Sequence, residues 1–248
     1  MNEMNADDLC LKAVYPVTSA DTDMYSRLKI SALVNYLIQT AISSAEHLGF
    51  GFSALKKEHL FWVLNRLTVE IYRPLKWSEK AEVETWPKNI ERIFYIRDFI
   101  VRDEQGEIVA KASSAWLSID INSKRPALFK GDKIEAFSKL NDYHALEYSP
   151  LKLNGIEKKD SCTITPSYFD IDLNRHVTST RYIDWMMDHF SLDFHQTNYP
   201  KHLTINYIKE TMHGETIRLS HDNKALTHNF EGFNSDQQKV AFRGQIDF

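Results

Sequence analysis

Part of this chain occurs twice, and this internal repeat limits the folds that are open to it. Leu67–Arg73 (LTVEIYR) recurs 136 positions later as Leu203–Lys209 (LTINYIK). Asp21–Asp23 (DTD) recurs 149 positions later as Asp170–Asp172 (DID). The two offsets, 149 and 136, differ by 13, so the second copy is 13 residues shorter between these segments. One copy alone would leave part of its helix or sheet uncovered, so we expect two similar copies to pair side by side.

Each copy is predicted to contain a helix followed by strands. Apolar residues at three- and four-residue spacing from Ile30 to Leu48 predict a helix with one buried face, and Gly49 suits its C-terminal end. Strands are predicted at about Leu11–Val17, Phe61–Arg73, Ala81–Trp86, Ile93–Asp103 and Glu107–Asp120. A long helix followed by an antiparallel meander is typical of a sheet curled around a central helix.

These patterns predict an α+β fold with two domains, over residues 1–128 and 160–248. Residues 129–159 are predicted to be a linker, because Gly131, Pro150 and Gly155 lie there among many charged residues. A chain of 248 residues with 43% hydrophobic residues is large enough to bury a sizeable core.

Composition argues against several classes of function. The formal net charge of -4 disfavours a general nucleic-acid binder, and Asn35, Gln39 and Glu46 interrupt the longest apolar helix, so no membrane span is expected. Cys10 and Cys162 are too few for a disulfide framework or a four-cysteine zinc site. The first residues lack the pattern of a secretory leader, so we expect a cytoplasmic protein.

Three polar residues precede the second predicted helix. Asp172, Asn174 and His176 alternate with other residues, so an extended segment would direct all three side chains to one face. A neutral imidazole can accept a proton, a carboxylate can orient it, and an amide can donate to a carbonyl oxygen. Helix-start amides at residues 177–180 add a candidate oxyanion site. The simpler interpretation is a turn with helix capping, which Asp and Asn also favour.

The first copy does not contain the complete trio. Arg27 lies at the position of His176, so the repeated architecture does not require the histidine. Pro74 lies at the position of Glu210, which makes this carboxylate specific to the second copy as well. The comparison therefore adds Glu210 to the candidate site, although an exposed charge at a strand end is the alternative interpretation.

Other catalytic and metal templates fit poorly. Asp170, Asp172 and Asn174 match the start of a calcium loop, but Arg175 and Arg181 replace its glycine and final glutamate. The chain has no Gly-x-Ser-x-Gly elbow and neither cysteine lies in a nucleophile motif. The three later histidines match no metal-ligand spacing and are predicted to be surface or turn residues; they are His213, His221 and His228. We expect no metal and no cofactor.

Several segments together resemble one enzyme family. Asp170–Val177 (DIDLNRHV) with Arg181–Trp185 (RYIDW) resembles the signature of plant and bacterial acyl-acyl carrier protein thioesterases, and Tyr207–Glu210 (YIKE) resembles their second motif. In the first half, Arg97–Asp103 (RDFIVRD) and Ala112–Trp116 (ASSAW) are also similar to that family. The likeness extends in order from about residue 11 to residue 247.

The resemblance implies a tandem, or double, hotdog fold: two long helices, each wrapped by antiparallel sheet, with the sheets side by side. It implies hydrolysis of fatty acyl thioesters on acyl carrier protein, which ends chain elongation in fatty acid biosynthesis. The family's catalytic Asp, Asn, His and Glu fall on Asp172, Asn174, His176 and Glu210. The acyl chain is expected in the first hotdog, with Leu33, Leu37, Phe61 and Trp62 as candidate lining residues.

The chain also departs from the family pattern. Thr211 replaces the cysteine that often follows the motif glutamate, Thr178–Ser179 replaces a paired asparagine, and Arg175 replaces glutamine. The missing plant transit peptide is consistent with a bacterial cytoplasmic enzyme. Whether the chain forms a homodimer is left open. Three alternative functions also remain: an acyl-CoA thioesterase, a hotdog 3-hydroxyacyl thioester dehydratase and a non-catalytic acyl-binding module.

Acyl carrier protein is acidic, so a local basic patch should steer it to this slightly acidic chain. Candidates for that patch, against the alternative of ordinary solvated charges, are Arg92, Arg97, Arg102, Lys124 and Arg125.

Overall fold

The structure is a computed structural model that describes residues 6–129, 134–137, 139–157 and 160–248. The start of the chain over residues 1–5 and Gly131 of the predicted linker lie outside the described residues. Two compact units divide the chain. The first comprises the residues up to Lys29 with Leu33–Pro150, and the second comprises Ile30–Ala32 with Leu151–Phe248.

The first unit is built on five antiparallel strands. They are β1 (Leu11–Pro16), β2 (Leu60–Ile71), β3 (Lys80–Glu91), β4 (Phe94–Arg102) and β5 (Ile108–Asp120). Their order across the sheet is β1, β3, β4, β5, β2. The helices are α1 (Ala6–Leu9), α2 (Ile30–Leu48) and α3 (Phe52–Lys57), with 3-10 turns at Ser19–Asp21 and Ile134–Phe137.

Helix α2 has the predicted bounds and is closed as predicted. Gly49 adopts the left-handed conformation, with φ of 78°, and its amide donates to the carbonyls of Ala45 and Glu46. Ala45 and Leu48 of this helix are buried in one cluster with Leu60 of β2 and Tyr95 of β4. The apolar face of α2 therefore forms part of the core of the first unit.

Strand β3 continues past its predicted end at Trp86. Pro87 follows that end, and a proline cannot donate a hydrogen bond to a neighbouring strand. The pairing of β3 with β4 shifts register between Pro87 and Asn89, and such a bulge accommodates the proline. The strand then extends to Glu91.

The second unit repeats the strand order of the first. Its strands are β6 (Asp160–Ile164), β7 (His202–Tyr207), β8 (Ile217–Lys224), β9 (Thr227–Asn234) and β10 (Lys239–Asp247). Their order is β7, β10, β9, β8, β6. Read in the opposite direction, from β6 to β7, it is the order of the first sheet with each strand replaced by its counterpart. The duplication inferred from short sequence matches is thus a duplication of topology.

The helical segment of the second unit is shorter than that of the first. Helix α4 (Ser179–Met187) has 9 residues, against 19 in α2. After it, Ser191 caps a separate short helix, α5 (Leu192–Thr197), by accepting a hydrogen bond from the Phe194 amide at 3.2 Å. The expected second long helix is therefore two short helices.

Much of the predicted linker belongs to the first unit. Phe137, Ala145 and Leu146 are buried, and the Ala145 amide donates to the Asp98 carboxylate at 2.9 Å. The Trp86 indole donates to the Tyr143 carbonyl at 3.1 Å. The two compact units meet in sequence between Pro150 and Leu151, rather than at the predicted boundaries.

Within the described part of the chain, no helix combines the length and the apolar character needed to cross a membrane.

Candidate active site

The segment from Asp172 to His176 is a tight turn, not the extended segment that the sequence predicted. Ile171 and Val177 pair across it, and the Asp172 amide donates to the His176 carbonyl at 2.8 Å. Arg175 adopts a left-handed conformation, with φ of 66°, near the tip of the turn. This pairing, rather than alternation along a strand, places Asp172 beside His176.

The Asp172 carboxylate holds the turn together. Its Oδ1 accepts hydrogen bonds from the amides of Asn174 at 2.8 Å and His176 at 3.2 Å. An aspartate that binds amides further along its own chain stabilises a turn. The alternative interpretation of Asp172, as a turn residue, is therefore supported by its contacts.

The first unit contains the same turn without the same chemistry. Asp23 Oδ1 accepts from the amides of Tyr25 and Arg27, each at 2.9 Å, and the Asp23 amide donates to the Arg27 carbonyl at 2.8 Å. The Arg27 guanidinium also pairs with the Asp23 carboxylate. The turn therefore belongs to the repeated fold, and His176 is the residue at its end that distinguishes the second unit.

Backbone pairing places His176 next to the segment that follows β7. His176 forms a β-bridge with Met212, and the Val177 amide donates to the Thr211 carbonyl at 2.8 Å. Glu210 immediately precedes this pair. The structure thus brings together His176 and Glu210, which are 34 positions apart in the sequence (210 less 176).

Glu210 has a partly exposed carboxylate close to Lys209 and His176. Partial burial raises its pKa, but the ion pair with Lys209 and the charge of His176 hold the pKa of Glu210 below its usual value. The carboxylate is therefore ionised at neutral pH. An ionised carboxylate beside an imidazole can accept a proton or stabilise a positive charge on the ring.

The predicted oxyanion groups are available only in part. Asn174 is exposed. The amide of Val177 donates to Thr211, and that of Thr178 donates to the Asp170 carbonyl at 2.9 Å. Among the described hydrogen bonds, this leaves the amides of Ser179 and Thr180 for the predicted role.

Two tyrosines support the site, Tyr182, which is buried, and Tyr207, which is partly buried, and sequence reasoning gave neither a role. Burial raises the pKa of Tyr182 to about 12, so its hydroxyl stays protonated close to Thr211 and Glu210. The Tyr207 hydroxyl donates to the Ser179 carbonyl at 3.1 Å and thereby ties β7 to the start of α4. Tyr182 and Tyr207 do lie in the quoted family motifs, and that is the signal that could have found them.

The prediction for the later histidines was wrong for two of them. His213 is exposed, but His221 on β8 and His228 on β9 are each only 8% exposed. Their Nε2 and Nδ1 atoms lie 3.0 Å apart, and the ring centroid of His189 lies 4.2 Å from that of His221, with the two rings tilted by 50°. No group of three or more metal-ligating side chains occurs among the described residues.

One member of the predicted basic patch is not at the surface. Arg97 is 4% exposed and donates to the hydroxyls of Ser44 at 2.9 Å and Thr85 at 3.2 Å. Burial lowers the pKa of Arg97 to about 9. Arg102 is partly buried beside Glu84 at 3.7 Å, whereas Arg92, Lys124 and Arg125 are exposed.

A mainly apolar pocket lies in the first unit. It is lined by α2, β2, β4 and β5, and by residues that include Ala41, Ala45, Phe50, Trp62, Tyr95 and Trp116. The Trp62 indole donates to the Phe50 carbonyl at 2.8 Å, which fixes one wall. Trp62 was a predicted lining residue, whereas Leu33 and Leu37 belong to the buried core.

Comparison with known proteins identifies a matching family in both halves of the chain. The N-terminal domain model of acyl-ACP thioesterases matches residues 8–137, and the C-terminal domain model matches residues 153–247. A palmitoyl-acyl carrier protein thioesterase of Gossypium hirsutum is 30% identical over 82% of this chain and 52% of its own length. An oleoyl-acyl carrier protein thioesterase of Coriandrum sativum is 25% identical over 88% of this chain and 63% of its own length.

A solved structure matches nearly the whole chain. An acyl-ACP thioesterase from Bacteroides thetaiotaomicron superposes with a TM-score of 0.87 and 28% identity, covering 99% of this chain and all of that one. The predicted tandem hotdog fold is thereby confirmed. The chain spans only about half to two thirds of the two plant relatives.

Proposed function

We propose that this chain, which belongs to the acyl-ACP thioesterase family, hydrolyses the thioester between a fatty acyl group and acyl carrier protein. The products are a free fatty acid and the carrier protein with its free thiol. The reaction ends chain elongation in fatty acid biosynthesis, and we place it in the cytoplasm. The hydrophobic chain of the substrate occupies the apolar pocket of the first unit.

The residues of the second unit supply the chemistry. Glu210 and His176 take a proton from water, and the water oxygen attacks the thioester carbonyl. Asn174 and the amides at the start of α4 donate to the oxyanion that forms. When the tetrahedral intermediate collapses, its carbon–sulfur bond breaks and the departing sulfur receives the proton. Asp172 keeps the turn in shape and so positions His176 and Asn174.

The observation that carries this proposal is the meeting of His176 and Glu210 in one unit only. The β-bridge between His176 and Met212 has a counterpart between Arg27 and Lys76 in the first unit. The first unit therefore builds the same backbone without an imidazole or a carboxylate at these positions. An imidazole and a carboxylate that the fold does not require support a role in catalysis.

A thiol-release assay tests the proposal. We expect wild-type protein to release thiol from acyl carrier protein and coenzyme A thioesters of several chain lengths, with preference for the carrier protein. His176→Ala should lower kcat by about 10²–10⁴, which is the usual contribution of general acid–base catalysis. His213→Ala, an exposed histidine in the neighbouring loop, is the matched control. Unchanged turnover in a folded His176→Ala protein would remove this residue from the mechanism.

The products separate this function from its alternatives. A hotdog dehydratase would form an enoyl thioester from a 3-hydroxyacyl thioester without releasing thiol, and an acyl-binding module would do neither. A single turnover in ¹⁸O-labelled water tests whether water attacks directly. Label in the Glu210 carboxylate would indicate that Glu210 itself is the nucleophile. Light scattering tests whether the chain forms a homodimer.

A further inference from the structure

Two aromatic side chains are exposed beside the candidate active site. Tyr168 and Phe169, in the 3-10 turn before Asp172, are 78% and 90% exposed. Leu173, in the turn itself, is 94% exposed. Large apolar side chains that stay clustered in water frequently mark a surface that another molecule covers.

The fold does not require these aromatic residues. In the first unit the equivalent turn is Ser19–Asp21, with Ser19 and Ala20 at the positions of Tyr168 and Phe169. Each turn is closed by the same capping box, formed by Thr18 and Asp21 in the first unit and by Ser167 and Asp170 in the second. A serine and an alanine therefore fit this turn, and the aromatic pair is specific to the unit that carries His176.

Backbone hydrogen bonds fix the turn next to the reacting groups. On one side, the Gly214 amide donates to the Pro166 carbonyl at 3.3 Å, which joins the turn to the loop after Glu210. On the other side, the Thr178 amide donates to the Asp170 carbonyl at 2.9 Å, which joins it to the start of α4. The exposed turn therefore lies beside the residues to which a carrier would deliver a thioester.

The charges around the aromatic pair favour an acidic partner. Arg175 is exposed on the turn, where the first unit has Ser26. The nearby carboxylates are already engaged: Asp170 with Arg181 at 2.6 Å, and Asp172 with backbone amides. The surface thus presents apolar rings beside a cation, and it offers little negative charge to repel an acidic protein.

We propose that Tyr168, Phe169 and Arg175 form the docking surface for the acyl carrier protein. The rings pack against apolar side chains of the carrier protein, and Arg175 pairs with one of its carboxylates. This inference rests on the proposed function, because it takes its partner from the substrate. It predicts that these residues act on the carrier protein and not on the acyl group.

The first unit supplies the test variant. Tyr168→Ser with Phe169→Ala installs the residues of Ser19 and Ala20 in the second unit. We expect kcat/KM for an acyl carrier protein thioester to fall about tenfold or more, mainly through KM, as for aromatic residues central to an interface. Turnover of the same acyl group on coenzyme A should change by less than about twofold. Leu173→Met, which installs the Met24 equivalent, is the matched control.

Several outcomes would overturn the proposal. An equal loss of kcat/KM on both substrates would show that the turn serves the chemical step. No loss on either substrate would show that the two aromatic rings do not contribute to turnover. A change in molecular mass by light scattering would indicate that a second copy covers the surface, and loss of binding to phosphatidylglycerol vesicles would indicate a membrane.

Calorimetric binding of the carrier protein separates this inference from the proposed function. Wild-type protein that binds the carrier protein but hydrolyses no thioester would contradict the function alone. Equal binding by wild-type protein and the double variant would contradict the docking surface alone. Arg175→Ser should bind more weakly than wild type at low salt, with a smaller dependence on salt, and an unchanged salt dependence would exclude Arg175 from the surface.

Discussion

Asp172 and Asp23 make the same two backbone hydrogen bonds in the two repeats, so the contribution of Asp172 to catalysis can be separated from its contribution to folding. In each aspartate, the Oδ1 atom accepts hydrogen bonds from the amides two and four residues further along the chain. An asparagine keeps an acceptor oxygen at this position but carries no charge. An alanine removes both.

We predict that Asp172→Asn keeps most of the activity, whereas Asp172→Ala loses most of it. The alanine variant should also unfold more easily by about 1 kcal/mol, the usual contribution of a hydrogen bond to stability. Steady-state kinetics and chemical denaturation measure both effects. Asp23→Ala is the control, because it should lower stability without a matching loss of kcat. If Asp172→Asn were as inactive as the alanine variant, the negative charge itself would be required.

At the scale of residues, comparison of the two repeats singled out two candidates for the site. His176 and Glu210 stood out because Arg27 and Pro74 occupy their positions in the first copy, and the structure brings the pair together. The prediction that Arg97 lies in a basic surface patch was wrong, because β4 is buried on both faces from Tyr95 to Val101. The charge of an arginine side chain alone does not indicate whether it is exposed. His221 and His228 were misplaced for a similar reason, since they face each other across β8 and β9.

Among the elements, β9 and β10 pair with Gly232 opposite Phe242. A Cβ atom there would lie 2.1 Å from the Phe242 ring, which occupies the space above the glycine. Phe242 is fully buried and packs against Tyr182 of α4, with ring centroids 4.7 Å apart. The glycine therefore lets the sheet support the helix that begins at the candidate site.

We predict that Gly232→Ala lowers the free energy of unfolding by about 1–3 kcal/mol, the range for overpacking a core. The displaced Phe242 ring should also disturb Tyr182 and lower activity. Thermal unfolding and kinetics measure the two effects. Adding Phe242→Leu to Gly232→Ala should recover part of the stability, because the smaller side chain leaves room for the new methyl group. No recovery would mean that the cost arises from the strand backbone.

Helix α2 and its sheet set the size of the apolar pocket. Ala45 of α2 lines it opposite aromatic side chains. We predict that Ala45→Leu shifts the preferred substrate to chains shorter by about two carbons. Burial of two methylenes is worth about 15-fold in affinity, so the loss for longer chains should be of that order. Thiol release across a series of chain lengths measures the shift. Ser43→Leu, on the exposed face of α2, is the control, and an unchanged preference in Ala45→Leu would place the acyl chain elsewhere.

The sequence predicted long elements better than their interruptions. The bounds of α2 follow from its apolar periodicity and Gly49. Between the predicted strands Ile93–Asp103 and Glu107–Asp120 the chain forms a tight turn, with the Gly106 amide donating to the Asp103 carbonyl at 3.0 Å. The continuation of β3 past Pro87 depends on a bulge, and the break between α4 and α5 depends on the Ser191 cap. Both are local features that hydrophobic periodicity does not encode.

At the scale of the whole molecule, the duplication was the most reliable guide. Two offsets between short segments were enough to predict two units of the same order, and the strand orders agree. The predicted linker over residues 129–159 was less successful, because its apolar side chains, such as Phe137 and Leu146, pack into the first unit. Glycine, proline and charge indicate irregular structure, but they do not indicate whether an irregular segment is packed.

Stability is also a property of the whole chain, and the histidines buried between β8 and β9 should make it depend on pH. Burial, and the nearby charge of His189, lower the pKa of His228 below its ordinary value of 6.5, although Asp247 opposes this shift. The unfolded chain therefore binds a proton at His228 at a higher pH than the folded chain does. The contribution of His228 to the free energy of unfolding is therefore fully present above about pH 6.5. It is lost as the pH drops towards the lower pKa of His228 in the folded protein.

We predict that the free energy of unfolding of the wild-type protein falls between pH 7.5 and pH 5.5 by more than that of His228→Gln. Each unit of difference between the folded and unfolded pKa is worth about 1.4 kcal/mol. Glutamine keeps a polar group opposite His221 but does not titrate, so it isolates the effect of the charge. Urea denaturation at the two pH values measures the difference, and His213→Gln in the exposed loop is the matched control. If His228→Gln and the wild-type protein lost the same stability on acidification, the buried histidine would not be the group that couples folding to pH.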